Sequence, residues 1–349
     1  MTDLPSGIAA YRRALDNRVL DATDRLVRSY ARIQAQLVLQ LDGLVAEIEA
    51  ARAAGRDMTA TQVRKLARFE RLIGELTTQM ERYGAVVENE VTLGRADAVA
   101  LASRDLPKLI EAQLTMWPEG ARQSLLATFQ RMPAEAIEAM VGALQDDLPL
   151  QRLTLARFGP ERAAAMGDKL LLGLASGRGP RTVARDMANV LGVPLGDALR
   201  ISRTEIVRAH RLATHAGFVR NGHIVKGWVW RANLDTRTCM SCVAMDGTLH
   251  GNDETLDDHP NGRCYPEPVT VEPRDLGINV DLPRVERESG KAWFSKLPEA
   301  AQRDMMGDAK WEAWRAGKFG LVDLARERKD ADWGRMFSEA SLKELVSVD

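Results

Sequence analysis

The chain has 349 residues, of which 45% are hydrophobic, 28% charged and 5% aromatic, and its net charge is -1. These values are ordinary for a folded globular protein of about two or three domains. A near-zero charge excludes a global positive field that would attract DNA or anionic lipid. No stretch approaches the ~18 apolar residues of a membrane-spanning helix, and the first residues lack the apolar segment of a secretory signal peptide.

Two long amphipathic helices are predicted in the N-terminal region. Between Asp21 and about Arg52, apolar residues recur at helical spacing, and three valines widen the face: Leu26, Tyr30, Ile33, Leu37, Leu41, Leu44 and Ile48, with Val27, Val38 and Val45. After a break at Gly55 and a capping threonine at 59 or 61, the spacing returns in Phe69, Ile73, Leu76, Met80, Tyr83 and Val87. We expect an antiparallel hairpin, either packed within a bundle or projecting to dock a partner.

The segment from 97 to 221 is predicted to be helical with several breaks. Breaks are expected at "WPEG", at Pro133 and at "DDLPL", followed by short helices separated by glycine and proline. Residues 176–221 hold eight arginines against three acidic residues. Two short helices joined through "LGVP" could form a helix-turn-helix, although solvated or paired arginines are the simpler explanation. The candidate nucleic-acid contacts are Arg178, Arg181, Arg185, Arg200, Arg208 and Arg211.

The pattern changes at residue 224, where Val225, Trp228 and Trp230 predict a short strand. Residues 231–290 are rich in Gly, Pro, Asp and Asn and lack helical periodicity. A loop-rich module of that size is expected to bury little apolar area and to need a covalent or metal staple. Helices return after Gly290, with Pro298 in the first turn of one and Asp308 capping the next, and with Trp311 and Trp314 in a core.

All three cysteines lie within 26 residues, close to a histidine, in the order Cys239, Cys242, His259, Cys264. An odd number of cysteines argues against a disulfide framework and favours a reducing compartment, where paired cysteines usually indicate metal or redox chemistry. Zinc prefers tetrahedral thiolate and imidazole ligands, and Cys3His is a common structural set. Such a site contributes on the order of 10 kcal/mol to a small module. The spacing therefore predicts structural zinc.

Alternatives to structural zinc have weaker support in the cysteine segment. A thioredoxin-like redox pair lacks the expected βαβ pattern, and a catalytic zinc would need an open coordination position. His250 ranks second to His259 as fourth ligand. A metal-dependent nuclease would combine His259 with nearby acids, although no histidine follows His259 and such acids usually form a solvated loop. These acids are Asp246, Asp253, Glu254, Asp257 and Asp258.

The segments "ISRTEIVRAH", "WVWRANLDTRTCMSCVAMDGTLH" and "DDHPNGRCYPEPV" resemble the phage Mu F-like minor head protein family, also called head morphogenesis proteins. The matched positions are Arg203, Thr204 and Glu205; Asp235, Arg237, Cys239, Cys242 and Gly247; and His259, Pro260, Asn261, Arg263 and Cys264. Gly262 departs from the pattern, which has cysteine there, so we take Cys264 as the ligand. The resemblance covers about 175–330.

The resemblance implies a non-catalytic minor head protein of a tailed phage or phage-like particle. Such proteins are made in the host cytoplasm, enter the virion, and act in assembly with portal, major capsid and scaffold proteins, with contact to packaged DNA as a further expectation. The alternatives are the nuclease and a DNA-contacting packaging protein that uses the arginines.

We therefore expect a mainly α protein. A helical hairpin and bundle occupies 1–170, a loop-rich α+β module with a short strand and a Cys3His zinc site occupies 171–290, and a helical tail occupies 291–349.

Overall fold

The computed structural model describes residues 6–145, 148–175, 180–282 and 287–346. The described chain is mainly helical and includes two small antiparallel sheets. It divides into two compact units, each discontinuous in sequence. The first unit draws on Met1–Asn17, Arg95–Leu144 and Ile206–Asp349, and the second on Arg18–Gly94 and Gln145–Glu205. The division of the sequence at 170 and 290 stays a prediction. None of the described helices is long and apolar enough to cross a membrane.

The elements follow in chain order. The first eight helices are α1 Ser6–Ala53, α2 Ala60–Arg64, α3 Ala67–Gln113, α4 Glu119–Ala127, α5 Ala134–Gln145, α6 Leu148–Phe158, α7 Pro160–Ala175 and α8 Pro180–Arg220. The mixed region contains β1 Val225–Arg231, α9 Met240–Met245, β2 Leu249–Gly251, β3 Tyr265–Thr270 and a 3₁₀ turn Pro273–Leu276. The last elements are α10 Gly290–Ser295, α11 Glu299–Met306, α12 Asp308–Arg315, a 3₁₀ turn Leu321–Leu324, β4 Ala325–Asp330, β5 Gly334–Glu339 and α13 Leu342–Val346.

Within the second unit, α1 and α3 run antiparallel. The ion pair between Arg25 and Glu90 (2.8 Å) lies near one end of the pairing, and that between Arg68 and Glu47 (3.1 Å) near the other. Because residue numbers rise along α1 as they fall along α3, the two helices form the predicted hairpin. The capping threonine is Thr59, whose side chain and that of Gln62 cap α2 reciprocally.

The predicted apolar faces of both helices are buried, with two corrections. The seven α1 residues from Leu26 to Ile48 are all at most 8% exposed, and five of the six α3 residues are at most 5% exposed, Ile73 being half-buried. Val27 and Val38 do not widen the α1 face, since 40% and 37% of their surfaces are exposed. Each lies one position beyond a buried residue, a turn of 100° that takes the side chain out of a narrow interface.

The hairpin packs against a further helix rather than standing alone. The ring of Tyr83 lies 4.8 Å from that of Tyr30 and 5.5 Å from that of Phe158 in α6, all three being buried. Gly84 allows this approach, because a Cβ there would lie 3.0 Å from Phe158 Cβ. Within the second unit, the bundle alternative is the correct one.

Helix α8 contradicts the predicted short helices and, with them, the helix-turn-helix alternative. It runs unbroken from Pro180 to Arg220 with Pro194 inside it, so the "LGVP" segment is helix and not a turn. A proline inside a helix removes one backbone hydrogen bond and disfavours its continuation. Here Ala198 and Ile201, just beyond the proline, are at most 1% exposed. Burial of this apolar face favours a continuous helix where local propensity favours a break.

The tryptophan-rich strand β1 is the centre of a three-stranded sheet. It pairs antiparallel with β2, Trp228 opposite His250, and with β3, Trp228 opposite Pro268. The predicted strand is confirmed, and Val225, Trp228 and Trp230 are at most 1% exposed. Gly227 permits the pairing with β2, since a Cβ there would lie 2.5 Å from the His250 carbonyl oxygen.

The expectation that residues 231–290 bury little apolar surface is wrong. Trp228 and Trp230 belong to one hydrophobic cluster with residues of this module and with helical residues distant in sequence. The members include Leu256, Tyr265, Val271, Leu106, Ile110, Leu114 and Phe218. The module completes its core with residues of α3, more than a hundred positions earlier, and of α8 just before it, a source that its own composition does not show.

The C-terminal region is only partly the predicted helical tail. Pro298 precedes α11 as its N-cap, and Gly307, with φ of 80°, occupies the cap of α12 in place of the predicted Asp308. Trp311 is buried in a second cluster with Phe294, and Trp314 packs against it. Strands β4 and β5 form a hairpin that the sequence did not predict, because the segment "ARERKD" has no apolar alternation.

Candidate metal centre

The pair Cys239 and Cys242 is positioned by the start of α9. Cys239 is the N-cap of this short helix, and its sulfur accepts a hydrogen bond from the Cys242 backbone N–H at 3.4 Å. The opposite side of α9 is anchored by Met240, Val243 and Ala244, which are buried in the C-terminal hydrophobic cluster. One helical turn therefore brings the two sulfurs to the same side of the segment.

The loop before β3 returns His259 and Cys264 to this pair. The Gly262 N–H donates to the His259 carbonyl at 2.9 Å, and Asn261 adopts a left-handed φ of 64°. Asparagine tolerates this conformation better than most residues, so the tight turn is compatible with the sequence. The turn leads directly into β3, which begins at Tyr265.

Five side chains converge as two overlapping donor groups. Cys239, Cys242 and His259 form one group, and Cys242, Asp258 and Cys264 form the other, with the ligand atoms of each group within 4.8 Å of one another. His259 Nε2 lies 2.9 Å from Cys239 Sγ and 3.4 Å from Cys242 Sγ. The four residues predicted from spacing are thus brought together, and Asp258 joins them. These are separations at which a single cation could contact several donors.

The imidazole of His259 is oriented for ligation. Its Nδ1–H donates to the Pro260 carbonyl at 2.9 Å, which turns Nε2 towards the two sulfurs. A backbone carbonyl on the second ring nitrogen is the usual device that fixes a metal-binding histidine. Neutral imidazole and thiolates are the donors that zinc prefers, so the residues present fit this ion.

The thiols and the imidazole shift one another's pKa values. Hydrogen bonding with Cys242 and then with His259 lowers the pKa of Cys239 to about 4 against the opposing effect of burial. Burial lowers the pKa of His259, but Cys239 and Asp258 outweigh it and raise the pKa to about 9. Hydrogen bonds with Cys239 and Cys264 raise the pKa of Cys242, and burial raises that of Cys264. Cys239 is thus the sulfur that most readily becomes a thiolate.

Arg211 of α8 binds the loop before β3 through several hydrogen bonds. Its guanidinium donates to the Cys264 carbonyl at 2.6 and 2.9 Å and to the Gly262 carbonyl at 3.2 Å. It also donates to Asp258 Oδ2 at 2.9 Å, in an ion pair whose side chains are 10% and 1% exposed. Its donors are therefore directed into the loop and not towards the surface.

Asp235 and Asp246 hold the backbone around the cluster, through contacts that the sequence did not predict. Asp235 forms a two-oxygen ion pair with Arg263, each contact 2.7 Å, and these hydrogen bonds lower its pKa well below the usual range. The Asp246 side chain is buried and accepts the N–H groups of Ala232 (2.7 Å) and Gly290 (2.8 Å). Asp235 thus connects the segment before Cys239 to the loop before β3, and Asp246 connects the end of α9 to Ala232 and to the start of α10.

The space at the cluster suits an ion and not a substrate. The cavity lined by the cysteines, His259 and Gly262 has a volume of about 40 Å³. A single water needs roughly 10–15 Å³ on the same kind of measure, whereas sites for small organic molecules measure about 300–1,000 Å³. The geometry therefore favours a ligand as small as a metal ion.

His250 and the acidic loop are engaged elsewhere. The His250 ring stacks on Trp228 at 4.3 Å and its Nδ1 pairs with Glu254 at 2.9 Å, so it belongs to neither donor group. Asp257 accepts the Thr255 hydroxyl at 3.1 Å. Of the acids proposed for a nuclease, Asp258 alone joins a donor group among the described residues.

The arginines proposed as nucleic-acid contacts are only partly described. Arg178 lies outside the described residues, as do the side chains of Arg181 and Arg185. Arg200 and Arg208 are exposed on α8. Contact of all six arginines with nucleic acid stays a prediction, and in the structure the Arg211 guanidinium donates to the Cys264 carbonyl.

Fold and site together define a mainly helical protein with a Cys/His cluster beside a small antiparallel sheet. Residues 164–266 match the family described as Phage Mu protein F like protein, and all the clustered residues lie within this range. The match confirms the resemblance for this part of the chain and indicates a phage head-related protein. No curated protein and no solved structure matches the chain.

Proposed function

We propose that this chain is a minor head protein of a tailed phage or phage-like particle, with a role in head assembly at the portal and the procapsid interior. The match of residues 164–266 to the phage Mu F-like family carries the proposal. Portal, major capsid and scaffold proteins are its proposed partners, the host cytoplasm its site of assembly, and the virion its destination. The proposed role is structural and not catalytic.

The Cys/His cluster is proposed to bind a structural zinc ion within this domain. Cys239, Cys242 and His259 supply two sulfurs and one nitrogen with mutual distances of a few ångströms. Cys264 is the fourth ligand predicted from the spacing, and Asp258 lies beside it. Zinc here would tie α9 to the loop before β3, two segments that are separated by about twenty residues.

Deletion of the gene from a phage or prophage that encodes the chain tests the assembly role. We expect defective heads by electron microscopy, restored by the wild-type gene and by His223→Gln, an exposed histidine outside the cluster. His259→Gln should restore them poorly. Mass spectrometry of purified heads should detect the chain. Normal infectious heads without the gene, or absence of the chain from heads and assembly intermediates, would contradict the proposal.

Removal of the metal tests the structural role of the cluster. Cys239→Ser or a strong chelator should open residues 239–264 while leaving the α1–α3 hairpin folded, because the hairpin has its own buried face. Hydrogen exchange mass spectrometry would locate the opening, and elemental analysis should give one zinc per chain before chelation. Unchanged exchange of 239–264 after metal removal would refute a stabilising zinc.

A further inference from the structure

We propose that Asp258 is a metal ligand, and that its Oδ1 completes the donor set of Cys239, Cys242 and His259 while Cys264 remains a buried thiol beside it. The inference rests on the metal centre of the proposed function and changes its composition from three sulfurs to two.

The distances from Asp258 Oδ1 match those of a ligand. This oxygen lies 3.5 Å from Cys242 Sγ and 3.4 Å from His259 Nε2. With the usual zinc bond lengths, tetrahedral ligands are separated by about 3.6 Å for sulfur and oxygen and about 3.4 Å for nitrogen and oxygen. The Cys242–His259 separation of 3.4 Å is also close to the sulfur–nitrogen value of about 3.5 Å. Three of the six edges of a tetrahedron therefore have ligand-like lengths, whereas the Cys239–His259 separation of 2.9 Å is shorter than the sulfur–nitrogen value and must lengthen when an ion binds.

The carboxylate is held in the orientation that monodentate ligation needs. Oδ2 accepts from Arg211 at 2.9 Å and from the Cys264 N–H at 3.4 Å. Oδ1 accepts the His259 N–H at 2.9 Å and faces Cys242. Hydrogen bonds to the non-ligating oxygen are the usual support of a metal-bound carboxylate. Arg211 thus acts as a positioning residue for Asp258.

Charge favours the same assignment. The Asp258 side chain is 1% exposed, so the carboxylate is screened very little from a neighbouring thiolate. If Asp258 were only a neighbour of a Cys3His centre, its oxygen would lie against a coordinating sulfur with both charges negative. Direct bonding to the cation replaces this repulsion by attraction. Two thiolates, one carboxylate and the Arg211 cation then balance the charge of Zn²⁺, with two protons released to solvent from the thiols and the imidazole.

Gly262 leaves the space that the carboxylate occupies. A Cβ at 262 would lie 1.9 Å from Asp258 Oδ2 and 2.2 Å from its Cγ, so no side chain fits there while Asp258 keeps this position. Residues 258 and 262 therefore compete for one volume beside Cys242. The same volume can hold either an aspartate from position 258 or a side chain from 262, and this chain uses the aspartate.

X-ray absorption spectroscopy of the zinc-loaded full chain tests the donor set directly. We expect two sulfurs and two nitrogen or oxygen neighbours. Three sulfurs would overturn the assignment of Asp258 while leaving the metal centre of the proposed function intact. Absence of zinc from the wild-type protein would overturn both.

Matched variants of the full chain give a second test. Asp258→Ala should weaken zinc binding by more than about 100-fold in a chelator competition, beyond the 10–100-fold typical of a residue that only supports a ligand. Cys264→Ala should change it less than tenfold. If the effects are reversed, Cys264 is the ligand and the inference fails. Circular dichroism checks that each variant is folded.

A double variant, in which the ligand is removed at position 258 and a cysteine is added at position 262, gives a test that does not depend on how well Asp258→Ala folds. Gly262→Cys alone should lower both stability and zinc affinity because of the clash with Asp258. Combining Asp258→Ala with Gly262→Cys should restore binding and raise the sulfur count by one, which the cobalt-substituted protein would report as stronger thiolate charge-transfer absorption. If the double variant binds zinc no more tightly than Asp258→Ala does, the side chains at 258 and 262 do not share one volume at the metal.

Discussion

Replacement of Arg211 by methionine should selectively destabilise the loop before β3. The change keeps much of the aliphatic stem but removes the donors that now contact the Cys264 and Gly262 carbonyls and Asp258. Asp258 would be left buried at 1% exposure without its cation. Removal of one partner from a buried ion pair typically costs about 3–5 kcal/mol, more than any of the lost hydrogen bonds alone.

Hydrogen exchange of residues 258–264 measures this loss locally. The opening free energy of the segment in metal-free protein should fall by about 3–5 kcal/mol, up to the limit of its starting stability. Arg208→Met is the matched control, because Arg208 is exposed on the same helix one turn earlier, and it should change exchange by at most about 0.5 kcal/mol. Equal protection in the two variants would show that Arg211 does not hold the loop.

Three further predictions concern buried side chains. Burial and then Arg211 lower the pKa of His210 to about 3. The imidazole therefore binds a proton more tightly in the unfolded chain, and the stability of the fold falls as pH drops from about 6.5 towards 3. His210→Phe should reduce the stability loss between pH 7 and pH 5 in urea unfolding, and a loss equal to that of the wild type would contradict this. Trp228→Ala should cost about 3–5 kcal/mol by fluorescence-detected unfolding, since its ring is fully buried; a loss below about 1 kcal/mol would refute this. Asp246→Ala should cost about 2–4 kcal/mol of stability because the N–H groups of Ala232 and Gly290 lose their acceptor. A rate of proteolysis around Ala232 and Gly290 equal to that of the wild type would contradict this.

The sequence determined the helical faces and four of the five cluster residues. The spacing of Leu26 to Ile48 and of Phe69 to Val87 reports which side of each helix is apolar, and that periodicity requires no knowledge of the partner. The cysteines and His259 were found in the same way, because donor type and spacing are local properties. The resemblance to the phage family likewise rests on short segments.

Tertiary structure decided what depends on contacts between distant residues. Pro194 is inside a helix because Ala198 and Ile201 are buried, an energy that local propensity does not include. The highly charged β4 is a strand because it pairs with β5, through backbone hydrogen bonds that any side chains permit. A hydrophobic pattern predicts neither result.

The cluster illustrates the same division. Asp258 reads in the sequence as one member of an acidic run, and Arg211 as one of eight arginines in a basic segment. Folding places them 2.9 Å apart, with Asp258 facing Cys242 and Arg211 bound to the loop. Their roles arise from burial and from the space left by Gly262. Residue type fixes which donors are available, and only the packing of α8 against the loop selects those that meet.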